Sequence, residues 1–154
     1  LKGVALDSIV GYPVVGQRVL VLDLTKGIQP DQGPWGNFSE RIILKGAPCW
    51  VFWAQGTLYQ ALNFAEAGKY TVKVKAAGIA AENIWPIMKV YVGPKYIGSA
   101  EIISQKGEYN EYTFNVDIPA EFGVQDFMIT YQNSAKGGAR NLFIKGVLFE
   151  PTKE

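Results

Sequence analysis

The sequence contains no histidine, a single cysteine and almost no net charge. Histidine is the side chain most often used for acid–base chemistry at neutral pH and for binding transition metals, so the usual candidates for both are missing. Cys49 has no second cysteine to pair with, which excludes an intramolecular disulfide and a thiolate metal cage. The formal net charge of +1 gives no field for collecting phosphates. We therefore expect no nucleic-acid partner.

Long apolar runs are also missing. The longest apolar stretch, residues 42–53, is interrupted by Lys45, Gly46 and Pro48, and it falls short of the roughly 18 residues that a membrane helix needs. We expect no membrane partner. The chain begins with Leu1 and shows no basic-then-apolar leader, so we expect a mature fragment or a module excised from something longer.

What the sequence does contain is a regular alternation of apolar and polar residues. In residues 69–76, four apolar side chains alternate with three lysines and a threonine, which predicts a strand with one face in a core and one in water. Residues 111–118 alternate in the same way. The predicted strands are residues 18–24, 39–44, 58–64, 69–76, 87–92, 96–103, 111–118, 124–131 and 142–150.

Helical periodicity is absent, and only two short helical turns are predicted, near residues 80–83 and 119–122. Many short strands separated by turn residues, without crossover helices, indicate an all-β fold. We predict an antiparallel two-sheet jelly-roll β-sandwich. The length favours a single domain over residues 1–154, in which residues 1–17 form an edge strand or a linker.

Catalytic groups are hard to find in this sequence. Without histidine, a hydrolase would need two carboxylates held close together. The acidic residues are scattered singly, and the nearest approach to a cluster, Asp117, Glu121 and Asp126, flanks a predicted turn and a solvated strand face. The Gly137–Gly138 pair lacks the strand, lysine and helix of a nucleotide-binding loop. We therefore predict a chain that is not an enzyme, with no catalytic residues.

Aromatic side chains are the more informative feature. An exposed indole offers a flat apolar face that suits stacking on the CH-rich face of a sugar ring. Trp35 lies in residues 27–37, a Gly- and Pro-rich stretch without alternation, so we predict that it is exposed. For Trp50, Trp53 and Trp85 core packing is the first interpretation. Trp53 and Trp85 are nevertheless kept as candidate sugar contacts.

Four stretches in order carry a family resemblance: AGKYTVKVKAAG at residues 67–78, IWPIMKVYVG at 84–93, YTFNVDIP at 112–119 and ITYQNSAKGGARNLFIKGV at 129–147. They resemble the central and C-terminal part of non-catalytic carbohydrate-binding modules of the galactose-binding-like jelly-roll kind. The most similar are the calcium-dependent xylan-binding families. The resemblance covers about residues 57–150, and it rests on the order and spacing of the motifs.

The resemblance implies a function in polysaccharide recognition. A module of this kind would bind a polysaccharide or oligosaccharide, such as xylan or a β-glucan of plant type. It would hold a secreted polysaccharide-degrading enzyme near its substrate, be excised here from a larger glycoside hydrolase, and work outside the cell. The alternative is a structural or assembly β-sandwich of a capsid, appendage or cell-surface layer that binds protein. Near-neutral charge and the apolar stretch at residues 42–53 favour that alternative.

The resemblance also raises Ca²⁺ as a cofactor, because acidic loop side chains of these families supply oxygen ligands to calcium. Here Ser134 stands where the second residue of an Asn-Asp pair is expected, and Ala139 stands where the aspartate of an Asp-Arg-Asn run is expected. Lys145 replaces a further acid. A site without these carboxylates should hold Ca²⁺ poorly, so we predict no metal ligands.

The residues that do match the family loop are Asn133, Arg140 and Asn141. The resemblance implies that they contact sugar, together with Trp35, Trp53 and Trp85. For Arg140 and Asn141 a structural role remains an equal alternative, in which Arg140 holds or caps a loop and Asn141 satisfies backbone groups in a turn.

Overall fold

The structure is a computed structural model that describes residues 11–24, 29–31, 39–44, 47–104 and 108–152. No α-helix occurs in these residues, and none of their helical segments is long and apolar enough to cross a bilayer. The strands are β1 (Val14–Val15), β2 (Leu20–Val21), β3 (Gln29–Asp31), β4 (Ser39–Leu44), β5 (Ala47–Phe52), β6 (Gly56–Phe64), β7 (Gly68–Ile79), β8 (Ile87–Val92), β9 (Lys95–Glu101), β10 (Asn110–Ile118), β11 (Gly123–Tyr131) and β12 (Asn141–Pro151).

The strands form two sheets that we call the front and back sheets. The front sheet has the order β1-β6-β11-β8-β9, with β3 also paired to β6. The back sheet has the order β10-β7-β12-β5-β4, with β2 paired to β12. All pairings are antiparallel except that of β1 with β6. The predicted all-β sandwich is confirmed, and the described part of residues 1–17 contributes the edge strand β1.

The core lies between the sheets because each strand turns alternate residues inward. In β7 the apolar side chains of the 69–76 alternation are buried, while the lysines lie on the outward face. Aromatic rings fill the centre, where Phe149 packs edge-on against Phe64 and Phe127 at centroid distances of 6.0 and 5.2 Å. Trp50 belongs to this core, and its indole nitrogen donates to the carbonyl of Leu24 at 3.1 Å.

Both predicted helical turns are wrong. Residues 80–83 lie in a tight turn between the two sheets, which we call the hairpin turn. It is closed by an isolated antiparallel bridge between Ala81 and Ile84, and Glu82 and Asn83 have φ of 55° and 62°. Left-handed backbone at two successive residues is incompatible with a right-handed helix. Residues 119–122 form a turn with Glu121 at φ 60°. The one short 3₁₀ turn in the described residues, Lys136–Gly138, lies where no helix was predicted.

Gly78 allows a close approach of three chain segments near the end of β7. A Cβ atom at this position would lie 2.6 Å from the carbonyl oxygen of Ile102 and 2.7 Å from Cγ of Pro86. Real Cβ atoms do not approach backbone this closely, so a side chain here must push the segments apart.

We predict that Gly78→Ala lowers the free energy of unfolding by about 1–3 kcal/mol, measured by urea denaturation, because of this overlap. Gly146→Ala is the matched control, since Gly146 also lies within a strand and its added Cβ would meet only Cβ of Lys75, at 4.0 Å. Equal stabilities for the two variants would contradict the close packing at Gly78.

Buried tyrosines make the fold sensitive to alkali. Burial raises the pKa of Tyr131 from 10.0 to about 12, and burial also raises the pKa of Tyr70 and Tyr109. The fold therefore favours the protonated phenol, which Tyr131 uses to donate a hydrogen bond to the carbonyl of Arg140 at 2.7 Å. This contribution to stability is complete below the unfolded pKa and is lost as the pH rises through the folded one.

We predict that the urea midpoint is constant between about pH 6 and 9, where no histidine titrates, and falls as the pH rises from about 10 to 12. Tyr131→Phe should start from a lower midpoint because it loses the hydrogen bond, and its midpoint should fall less steeply above pH 10. A Tyr131→Phe variant with an unchanged alkaline slope would show that this phenol is not a source of the effect.

Candidate functional site

Five of the six sequence-predicted sugar-binding residues come together at one edge of the sandwich. The register pairs Phe52 with Leu142, Asn141 with Ile79, and Tyr131 with Met88, which brings together the strand ends that flank three connections. We call this edge the loop edge and define it as residues 53–55, 80–86 and 132–140. It contains Trp53, Trp85, Asn133 and Arg140, with Asn141 next to it as the first residue of β12. Trp35 lies outside the described residues.

Arg140 is the most deeply buried polar group of the loop edge, with 6% of its surface exposed. Its Nε donates to the carbonyl of Ile84 at 2.8 Å, and its Nη2 donates to the carbonyl of Ala81 at 2.9 Å. Its Nη1 donates to the carbonyl of Asn133. All three guanidinium nitrogens are therefore engaged by backbone, which favours the structural alternative for this residue.

Asn133 joins two segments of the loop edge. Its Oδ1 accepts the backbone N–H of Ile87 at 2.8 Å, and its Nδ2 donates to the carbonyl of Trp85 at 2.9 Å. The amide thus holds the chain on both sides of Pro86, where no proline N–H is present to do so. Both polar atoms of the side chain are already in use within the protein.

The two tryptophans of the loop edge are half-buried. Trp53 follows β5, and the 3₁₀ turn lies against it, because a Cβ on Gly138 would be 3.5 Å from Cβ of Trp53. Trp85 follows the hairpin turn, and its neighbours Ile84 and Ile87 are 51% and 38% exposed. Both tryptophan side chains therefore keep part of their surface exposed to solvent.

The loop edge does not fit calcium. Ca²⁺ takes six to eight oxygen ligands, usually with several carboxylates among them. The described residues contain no group of three or more metal-ligating side chains. The carbonyls of Ala81, Ile84 and Asn133 already accept from Arg140, and Oδ1 of Asn133 accepts from Ile87. The donor set that the family resemblance would require is not present here.

A second surface, which the sequence analysis missed, lies on the outward face of the front sheet. Tyr59, Met128, Tyr91 and Tyr96 are successive partners across β6, β11, β8 and β9. We call these four residues the tyrosine row. Tyr96 is 55% exposed and the others are half-buried. The rings of Tyr91 and Tyr96 lie 5.4 Å apart at centroid and are tilted by 51°.

A β-bulge places Tyr96 next to Tyr91. The register shifts so that Val90 pairs with Gly98 while Tyr91 pairs with Tyr96, which leaves one extra residue in β9. Gly98 permits this with a φ of 150°, and an added Cβ would lie 2.8 Å from Cδ1 of Phe114. The glycine therefore allows both the bulge and the close approach of the facing sheet.

A polar row runs beside the tyrosine row. Thr57, Thr130, Lys89 and Ser99 are the next outward-facing partners across the same four strands. The Oγ1 atom of Thr130 is enclosed and has no hydrogen-bond partner in the described part of the chain. The outward face therefore presents an aromatic row and a parallel row of hydroxyl and ammonium groups, both directed across the strands.

The single cysteine is not a reactive group. Cys49 is 1% exposed, and the phenol of Tyr109 donates to its Sγ at 3.6 Å. Burial raises the pKa of the Cys49 thiol, so the thiolate is disfavoured. Lys145 lies over the Tyr109 ring with its Nζ 5.0 Å from the centroid. This cluster covers the outward face of β5 and offers no nucleophile.

No protein-family model matches the chain, and no curated protein matches it significantly. Solved structures match it in fold. The CBM36-1 domain of a multidomain xylanase from the hindgut metagenome of Trinervitermes trinervoides has a TM-score of 0.61 at 10% identity, over 89% of this chain and 100% of that chain. CBM35 from Paenibacillus barcinonensis has a TM-score of 0.58 at 14% identity, over 86% of this chain and 99% of that chain.

A third similar structure is CsCBM6-3 from Clostridium stercorarium in complex with cellobiose, with a TM-score of 0.57 at 13% identity, over 89% of this chain and 98% of that chain. At these identities the likeness shows the fold alone. The chain therefore has the fold of galactose-binding-like jelly-roll carbohydrate-binding modules, which confirms the resemblance in fold that the sequence motifs predicted.

Proposed function

We propose that this chain is a non-catalytic carbohydrate-binding module whose main ligand surface is the outward face of the front sheet. The observation that carries the proposal is the tyrosine row, in which Tyr59, Met128, Tyr91 and Tyr96 line up across four strands. Aromatic rings present large apolar faces at low conformational cost, and they suit the CH-rich faces of sugar rings. The fold shared with carbohydrate-binding modules supports the same function.

The polar row supplies the hydrogen-bonding groups for sugar hydroxyls that aromatic rings alone would not provide. A sugar chain stacked on the tyrosines turns its hydroxyls sideways, where Thr57, Lys89 and Ser99 can exchange hydrogen bonds with them. All side chains of the polar row except Lys89 are neutral, and a mostly neutral row suits an uncharged polyhydroxylated polymer. Such contacts are partly water-mediated and weak singly, so affinity has to come from several in a row.

Strand spacing sets the direction and length of the site. Neighbouring strands lie about 4.8 Å apart, so β6 to β9 span about 14 Å, roughly the length of three sugar rings. Both rows cross the strands, so the ligand would lie perpendicular to them. We propose an extended β-linked glycan of plant type, xylan or a β-glucan, as the ligand, with the module serving a secreted polysaccharide-degrading enzyme.

The loop edge provides a candidate second contact surface. Trp53 and Trp85 are half-buried there and would contribute their exposed surface to stacking, with Asn141 at the start of β12. Arg140 and Asn133 take part as the framework that holds this surface, since their polar atoms already bind backbone. Trp35 stays a prediction from sequence.

We predict that Tyr96→Ala weakens polysaccharide binding about 5–30-fold, because loss of a stacked ring costs about 1–2 kcal/mol. Tyr96→Phe keeps the ring and should bind nearly as the parent does. Val21→Ala is the control for location, since Val21 is 67% exposed on the back sheet. The measurement is titration calorimetry against soluble xylan, β-glucan and mannan.

Two further variants, Tyr91→Ala in the tyrosine row and Trp85→Ala at the loop edge, distinguish the two candidate surfaces. If Trp85→Ala abolishes binding while Tyr96→Ala and Tyr91→Ala have no effect, the ligand lies on the loop edge and the assignment to the tyrosine row is wrong. If no polysaccharide binds and light scattering shows a closed oligomer, the assembly hypothesis is supported instead.

We further predict that affinity for oligosaccharides of the preferred polymer rises with length up to about three or four rings and then levels off, because the rows cross four strands. Calorimetry with a ladder from two to six rings measures this. A plateau already at one or two rings would indicate recognition of a chain end, contrary to a site that crosses the sheet.

A further inference from the structure

We propose that the guanidinium of Arg140 is a built-in cation that organises the loop edge, so that this edge forms without calcium. Three backbone carbonyls, those of Ala81, Ile84 and Asn133, converge on it from two different connections. Backbone carbonyls are also typical ligands of bound cations. Here the guanidinium of Arg140, the residue directly before β12, occupies the position on which the three carbonyls converge.

Charge and burial both oppose a metal at this centre. Arg140 is 6% exposed, and no ion pair joins it to a carboxylate in the part of the chain that the structure describes. A divalent cation bound beside it would meet an uncompensated positive charge in a poorly solvated position. It would also have to displace guanidinium hydrogen bonds that already satisfy the carbonyls.

The hairpin turn explains why a strong organising group is needed. Glu82 and Asn83 both have left-handed φ, which costs L-residues about 1–2 kcal/mol each. Such a turn persists only where the surroundings hold it in place. The carbonyls of Ala81 and Ile84, which close the turn by accepting each other's N–H at 3.0 and 3.1 Å, each accept a second bond from Arg140.

The backbone of Arg140 is itself held by a buried side chain. The phenol of Tyr131, which is fully buried, donates to the carbonyl of Arg140 at 2.7 Å. Asn133 then extends the network, because its carbonyl accepts from Arg140 and its amide holds Trp85 and Ile87. Arg140 is therefore a positioning residue for Trp85, and it acts through backbone carbonyls without reaching the surface.

The test compares the wild-type chain and two variants, each in EDTA and in millimolar Ca²⁺. The variants are Arg140→Ala and, as a matched control, Lys136→Ala, which removes a positive charge from the same connection at an exposed position. Thermal melting reports stability. Hydrogen exchange, read separately for residues 80–86 and for β8 and β11, reports whether the loop edge opens locally.

For the wild-type chain we expect the same melting temperature and the same exchange in residues 80–86 with Ca²⁺ and with EDTA. Arg140→Ala should lower the melting temperature by roughly 5–15 °C and speed exchange in residues 80–86 more than in β8 and β11, with no recovery in Ca²⁺. Lys136→Ala should behave as the wild type does. Millimolar guanidinium should partly restore slow exchange in Arg140→Ala, because it fits the vacated position.

Three results would count against the proposal. Slower exchange of residues 80–86 in Ca²⁺, more than in β8 and β11, would show that a metal organises the loop edge after all. If Arg140→Ala and Lys136→Ala have the same melting temperature and the same exchange in residues 80–86, the guanidinium does not hold the turn. If Arg140→Ala does not fold, Arg140→Lys is used in its place. Its ammonium group keeps the positive charge but lacks the planar guanidinium donors, so residues 80–86 should exchange faster than in the wild type. Wild-type-like exchange in Arg140→Lys would then count against the proposal.

Discussion

The pairing register of β6, β11, β8 and β9 is the constraint on which both faces of the front sheet depend. Because side chains alternate with a period of two, a slip by one residue would turn Tyr59 and Tyr91 into the core and expose their buried neighbours. Buried residues such as Leu58, Ile129 and Val90 sit in the next row and fix the register through the core. Core packing therefore positions the tyrosine row as well.

The two candidate surfaces are held by different means, and this affects how each responds to substitution. The tyrosine row depends on backbone pairing along four strands, so the loss of one ring leaves the others in place. The loop edge depends on Arg140, a single side chain whose hydrogen bonds reach three carbonyls. Removing it takes one hydrogen bond from each of three carbonyls at once, and the carbonyls of Ala81 and Ile84 then keep only the bond that closes the turn. The tyrosine row should therefore tolerate single substitutions, whereas the loop edge should be sensitive to the loss of Arg140. This difference follows from how each surface is held and not from ligand binding.

Sequence alone predicts nine of the strands because alternation is local, but it misses β3 and β5 and does not predict which strands become neighbours. Tyr59, Tyr91 and Tyr96 each occupy an outward position, yet they meet only because β11 lies between β6 and β8, and because a bulge shifts β9. The hairpin turn was predicted as helical because neither Glu82 nor Asn83 is glycine, and because the hydrogen bonds that stabilise it come from Arg140, which is remote in sequence. The family motifs singled out Asn133, Arg140 and Asn141, while the hydrogen bonds of Asn133 and Arg140 depend on partners remote in sequence.

The near-zero net charge takes on a physical meaning in this architecture. An uncharged polyhydroxylated chain offers no strong electrostatic attraction, so its recognition requires apolar faces and aligned hydroxyl partners that are ordered beforehand. Side chains on a paired sheet lose little further freedom on binding, which suits a site whose single contacts are weak. At the loop edge, the cation that holds the backbone together belongs to the chain itself. On these two proposals neither surface needs a cofactor to be preformed, and a sequence without histidine or clustered acids is adequate for both.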